Sequence, residues 1–104
     1  MRKGEVWWAK QPNPIGKRPV VLLSRDEAYN VRNAVTVAQV TTTIRHIPVE
    51  VLLDKKDGVP QACVVNLDTI TTIRKSILLE RICALRTEKV DLINKALKFA
   101  LALD

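Results

Sequence analysis

The chain reads as mainly β with a small α part. The sequence predicts five to seven short, mostly antiparallel strands in a half-open barrel or twisted sheet, followed by one C-terminal helix. Three observations lead there. Val-, Ile- and Thr-rich segments recur from Gly4 to Leu85, separated by clusters of Pro, Asn, Gly and Asp. No helical pattern alternates with them, so parallel crossover units are excluded and antiparallel pairing remains. At Thr87 the apolar period changes to that of an amphipathic helix.

Gly4–Lys10 (GEVWWAK) is the first strand, and the loop QPNPIG follows with two prolines, an asparagine and a glycine. Val20–Leu23 is a buried second strand, with Pro19 expected at its start or on an edge because proline lacks the ladder donor. Ser24–Asn30 is polar and fits a short helical turn. Ala34–Ile44 is a third strand and Pro48–Leu53, which alternates apolar and polar, a fourth. DKKDG is a turn. Gln61–Leu67 is a fifth strand, and Asp68–Ile73 and Ile77–Leu85 continue the β pattern.

Thr87 is the expected N-cap of the helix, with Glu88 and Asp91 meeting the positive end of its dipole. Val90, Ile93, Leu97, Ala100 and Leu101 fall on one stripe, and Leu92, Ala96, Phe99 and Leu103 on the next. That arc is wider than the ~100° one sheet face needs. The helix is therefore expected to cover the sheet and to contact something more, with a second copy of the chain as the simplest candidate.

With 104 residues the chain is expected to form one domain spanning 1–104. Lys and Arg number 17 against 11 Asp and Glu, and residues 1–49 hold eight of these cations against three acids, Glu5, Asp26 and Glu27. That bias suggests an anionic partner, nucleic acid first and an acidic protein segment second. Cys63 and Cys83 sit in apolar contexts without a CxxC pair or Cys/His cluster, which predicts reduced, buried thiols in a cytoplasmic protein and no zinc site. No signal peptide is read, and no apolar run approaches the ~20 residues of a membrane span.

Much standard chemistry has no residues here. His46 is the one histidine and has no nucleophile motif beside it, so it reads as a surface or strand residue. Three glycines form no phosphate loop, and no carboxylate cluster suggests a metal-dependent nuclease. Catalysis, if present, would run without metal or cofactor. What remains is Arg18 leading an apolar strand, Thr41–Thr43 ending another, and Asn66 and Asp68 in VVNLD. Were these strands neighbours, Arg18, Thr41 and Asn66 or Asp68 would meet on one rim, and a guanidinium beside hydroxyls suits a phosphate. The ordinary alternative is strand threonines, a turn aspartate and a solvated edge arginine.

GEVWW, KRPVVLLS, VAQVTTT, VVNLDTITTI and the closing amphipathic helix occur in an order and spacing that resembles the MazF/PemK (Kid-like) toxin family along nearly the whole chain. The resemblance implies an SH3-like barrel with a C-terminal helix, acting as a homodimer. It also implies a ribosome-independent, metal-independent endoribonuclease that cuts single-stranded RNA at short specific sequences. A cognate antitoxin with an acidic C-terminal segment would occupy the RNA groove. Arg18 matches the family's catalytic arginine before a proline, and Thr41 its catalytic threonine or serine at the end of the third strand. Asp68 matches an aspartate proposed as a base in some members, but Asn66 stands where those members carry an arginine. A histidine in some members' first loop has no counterpart in QPNPIG. Arg18 and Thr41 are thus the expected catalytic pair, with Lys17, Thr43, Arg45, Asn66 and Asp68 as expected RNA contacts. Base reading is expected in Gln11–Lys17 and in Ile44, Arg45 and His46. By alternation one of Trp7 and Trp8 faces inward.

Two other readings share these features. A CcdB-like gyrase poison has the same fold but relies on a tryptophan-containing C-terminal tail, whereas this chain ends LALD. A non-catalytic RNA- or protein-binding barrel would keep the basic charge and need neither Arg18 nor Thr41.

Overall fold

In the computed structural model, which describes residues 1–104, the strands are β1 (Glu5–Lys10), β2 (Lys17–Leu22), β3 (Ala34–Thr41), β4 (Glu50–Leu53), β5 (Cys63–Arg74) and β6 (Leu78–Ala84). A single helical turn, α1 (Ala28–Val31), precedes β3, and the helix α2 (Thr87–Ala100) closes the chain. The six strands make one antiparallel sheet in the order β4-β5-β3-β2-β1-β6. The mainly β fold with one covering helix is the one expected.

Strand alternation creates two cores. Val6, Val21, Ala38, Val40, Val65 and Leu67 point to the face that α2 covers with Ile93 and Ala96. Ala9, Val20, Leu22, Val35 and Val37 point the other way and pack with Tyr29 of α1 and Leu78. The long strand β5 serves both because it bends. Its register against β3 jumps between Ala38↔Ile70 and Gln39↔Asn66, leaving residues 67–69 without a β3 partner. Asn66 supports that bulge, its Oδ1 accepting the Asp68 N–H at 2.9 Å.

The edge strands approach each other through the turn after β4. Lys55–Asp57 form one 3₁₀ turn closed by a reciprocal Asp54–Asp57 capping box, and Gly58 leaves it at φ 103°. A Cβ on Gly58 would lie 2.7 Å from Cβ of Cys83 in β6, so this position excludes any side chain on both conformational and steric grounds. The buried Asp57 carboxylate also reaches Arg86 at 3.9 Å and Lys89 at 3.6 Å, tying the start of α2 to the end of β4.

Several boundaries differ from the sequence reading. The third strand stops at Thr41 rather than Ile44, because the Thr41 hydroxyl accepts the Thr43 N–H at 3.2 Å and turns the chain. The segments Gln61–Leu67 and Asp68–Ile73 are one strand carried through the bulge. The second strand begins three residues early, at Lys17, and Pro19 lies inside it. That is tolerated because pairing with β3 begins only at Val20↔Gln39, so no ladder bond is asked of the proline nitrogen. The N-cap is Arg86, without a side-chain cap, and Thr87 is the first helical residue. The backbone of Leu85 is held by Gly4 (3.0 Å) and Arg86 faces Asp57, which starts the helix one residue sooner than a threonine cap would.

Candidate active site

The rim begins with two strands that separate. Pairing of β2 with β3 ends at Val20↔Gln39, and carrying that register two residues further sets Arg18 opposite Thr41. Nothing in the ladder joins them there. Both line a cavity of about 300 Å³ at the open end of the sheet. Thr42, Pro60, Gln61, Pro19 and Trp8 complete its walls, and Val40, Val59, Cys63 and Ile82 give it an apolar floor. An apolar cavity with few convergent polar groups is the ordinary form of a binding site.

The cations at the mouth have no acidic partners. Lys10 and Lys17 face each other across β1 and β2, and Ala9 faces Arg18. None of Lys10, Lys17 and Arg18 forms a salt bridge. Lys17 Nζ lies 5.0 Å from the centre of the Trp8 ring, a cation–π contact that fixes both groups beside the cavity. Like charges directly opposite cost stability unless an anion arrives between them. The Thr41 hydroxyl already accepts the Thr43 N–H, so its own proton is free to be donated outward.

The remaining expected residues lie elsewhere on the strands. Thr43 is exposed just beyond β3. Arg45 is held away from the cavity by Glu50, whose carboxylate takes the Arg45 N–H at 2.9 Å, the His46 N–H at 3.1 Å and the Arg45 Nε at 3.2 Å. Burial alone would raise this carboxyl, but those donors and the guanidinium charge together hold it below the usual carboxylate range. His46 itself is exposed, at φ 56°. Asn66 is buried in the row Gln39↔Asn66↔Glu50. Asp68 is exposed in the bulge, four residues along β5 from Val64, the partner of Thr41. Neither Asn66 nor Asp68 lines the cavity. Of the two tryptophans, Trp8 faces the cavity, while Trp7 packs on the opposite core and donates its indole N–H to Glu5 at 2.9 Å.

Thr42, Gln61 and Cys63 were not among the residues expected here. Thr42 shares the face of Val40, which also lines the cavity, and lies just past the end of β3 at Thr41. Gln61 arrives through the β4–β5 connection, and nothing in its sequence context signals it. Burial, with the Asp57 charge adding, pushes the Cys63 thiol up to about 11, so at neutral pH it is a protonated part of the floor and no nucleophile. Both cysteines are free, with Cys63 buried and Cys83 half-buried. No group of three or more His, Cys, Asp or Glu side chains gathers as a metal site would require.

Comparison with known proteins agrees along the whole chain. The family model for PemK-like, MazF-like toxins of type II toxin-antitoxin systems matches residues 2–101. The chain is 39% identical over 99 residues to the probable endoribonuclease MazF5 of Mycobacterium tuberculosis, covering 94% of this chain and 90% of that one. It is 30% identical over 111 residues to the endoribonuclease EndoA of Bacillus subtilis, covering 99% and 96%. Among solved structures, the Mycobacterium tuberculosis toxin MazF-mt6 superposes with a TM-score of 0.88 at 31% identity, covering 96% of this chain and 98% of that one. A mycobacterial endoribonuclease in complex with its cognate antitoxin superposes with a TM-score of 0.89 at 27% identity, covering 100% and 97%. A six-stranded antiparallel sheet under a C-terminal helix, unpaired cations at its open end and a family match from residue 2 to residue 101 together place this chain in the PemK-like, MazF-like toxin family.

Proposed function

We propose that this protein is the toxin of a type II toxin-antitoxin pair: a cytoplasmic, sequence-specific endoribonuclease that cuts single-stranded RNA and so arrests translation and growth. The observation that carries the reading is the presence of Arg18 and Thr41, from two separate strands, in the wall of one cavity with an unpaired cationic mouth. RNA brings its own nucleophile. The 2′-oxygen bonds to the adjacent phosphorus, the bond from phosphorus to O5′ breaks, and the proton lost at the 2′-oxygen is matched by one gained at O5′. The ends left are a 2′,3′-cyclic phosphate and a 5′-hydroxyl. Arg18 stabilises the negative charge that grows on the phosphorane oxygens and supplies the proton to O5′, regaining one from the water that takes up the 2′ proton, while Thr41 donates to a non-bridging oxygen. No step calls on a metal. The proposed partners are single-stranded RNA, a second copy of the chain and an antitoxin whose acidic C-terminal segment competes for the same cations.

The test is incubation of a long mixed-sequence single-stranded RNA with the purified protein in EDTA, followed by sequencing of the new 5′ ends. Cuts at a short recurring sequence, leaving 5′-hydroxyl and cyclic phosphate ends, are expected. Binding without any cleavage would sink the enzymatic reading in favour of a binding barrel.

A further inference from the structure

Beside the Arg18–Thr41 pair lies a second polar pair with no counterpart in the chemistry above. Gln11, the first residue after β1, is 5% exposed. Its side-chain amide and that of Gln39 in β3 bond reciprocally: Gln11 Nε2 donates to Gln39 Oε1 at 3.1 Å, and Gln39 Nε2 donates to Gln11 Oε1 at 2.6 Å. In the sheet, β2 lies between β1 and β3, so this bridge crosses over β2. It does so where the β2–β3 ladder stops, since Val20↔Gln39 is the last pair before Arg18 and Thr41. Gln39 and Thr41 share a face of β3, as Val20 and Arg18 share a face of β2. On the other side of Gln11, its backbone N–H donates to the Gly16 carbonyl at 3.0 Å and closes the loop that delivers Lys17 and Arg18.

We infer that the Gln11–Gln39 amide bridge positions Arg18 against Thr41 by tying the 11–16 loop and the free end of β2 to β3. The inference rests on the ribonuclease reading for its kinetic consequence, and on the structure alone for its mechanical one. Gln11 and Gln39 are positioning residues: neither lines the cavity that holds Arg18 and Thr41. A reciprocal amide pair has one satisfied geometry, so it defines a spacing that an apolar contact of equal volume does not. Positioning at this scale is worth much in rate, because reacting groups displaced by ~1 Å lose about a hundredfold.

The variants are Gln11→Leu, Gln39→Leu, the double variant, and Gln39→Glu. Leucine keeps the volume beside Ala9 and Val20, and replacing both partners by apolar groups leaves no orphaned amide, so the double variant folds. Single-turnover cleavage of the mixed-sequence RNA is expected to fall about ten- to hundredfold in each leucine variant, with KM within about twofold of the parent. The double variant is expected to be no worse than the poorer single one, since the bridge is lost once. Gln39→Glu is expected to recover rate as pH falls, relative to the parent, because a protonated carboxyl donates to Gln11 Oε1 while accepting from its amide. Hydrogen exchange of residues 15–17 is expected to quicken in all three leucine variants, whether or not RNA is cut. Parent-like cleavage in the singles, losses that add in the double, or a Gln39→Glu profile that parallels the parent would overturn the inference. So would unchanged exchange in the loop. If the parent protein cuts no RNA at all, the ribonuclease reading fails and the exchange result still decides whether the bridge holds the loop.

Discussion

Arg18 and Lys17 are adjacent cations with different surroundings. Arg18 lines the cavity with Thr41, whereas Lys17 stands over the Trp8 ring at its mouth. Arg18→Ala is therefore expected to lower the cleavage rate about a hundredfold or more, because a fork of donors aimed at developing charge is lost. Lys17→Ala is expected to weaken RNA binding by less than about tenfold and to flatten its salt dependence by about one counterion, with the cutting step intact. Filter binding at two salt concentrations, beside single-turnover cleavage, separates the two effects. If Arg18→Ala cuts at the parent rate, the role given to it is wrong. At Thr41 the hydroxyl accepts the Thr43 N–H and has its proton free. Thr41→Ser should keep most of the activity and Thr41→Val should lose it while staying folded, which cleavage assays with a melting curve can check.

At the scale of elements, Glu50 at the start of β4 organises the segment that leaves β3. Its side chain is 2% exposed and accepts three N–H donors from Arg45 and His46. Its acidity is shifted down in the folded state, so it binds fewer protons there than in the unfolded chain at moderately acid pH. The stability it contributes is present above the ordinary carboxylate range and is lost as pH falls through the folded value. Denaturation curves from pH 6 down to about pH 3 should show a steeper loss for the parent than for Glu50→Gln. Parallel curves would show that the contact carries no linkage. The same row explains why Arg45 was legible as a basic residue beside the site but not as one already paired. Its partner lies across a turn, and the sequence contains no periodicity that joins them.

For the whole molecule, α2 buries most of one stripe together with Ala96 of the next and leaves the rest of that second stripe open. Ile93 and Ala96 are buried and Val90, Leu97 and Ala100 pack on the core, while Leu92 and Phe99 are 49% and 63% exposed. Together with Leu52 of the edge strand β4 they border a second groove, of about 470 Å³. A surface of this kind on a small chain fits the homodimer proposed above. Leu92→Asp with Phe99→Asp is expected to shift sedimentation toward monomer at micromolar concentration while far-UV circular dichroism stays unchanged. Unaltered sedimentation would place any self-association elsewhere. No helix of the chain is long and apolar enough to cross a membrane.

The sequence by itself determined the local features. Val/Thr-rich alternation marked the strands, Pro, Asn and Gly marked the loops, and the 3.6-residue period marked α2, because each depends on neighbours within a few residues. It also singled out Arg18 and Thr41, as polar residues at the ends of apolar runs and through an ordered likeness to one family. Tertiary structure decided what needs distance. It merged two expected strands into β5, since a bulge looks like a break until the partner strand shows the register. It chose Trp8 over Trp7, which alternation alone leaves symmetric. It brought Gln61 and Thr42 to Arg18, kept Asp68 in the bulge away from them, and joined Gln11 to Gln39 across 28 positions. A ladder that ends two residues short of Arg18 leaves its spacing to side chains far apart in the chain, and only the folded sheet brings those together.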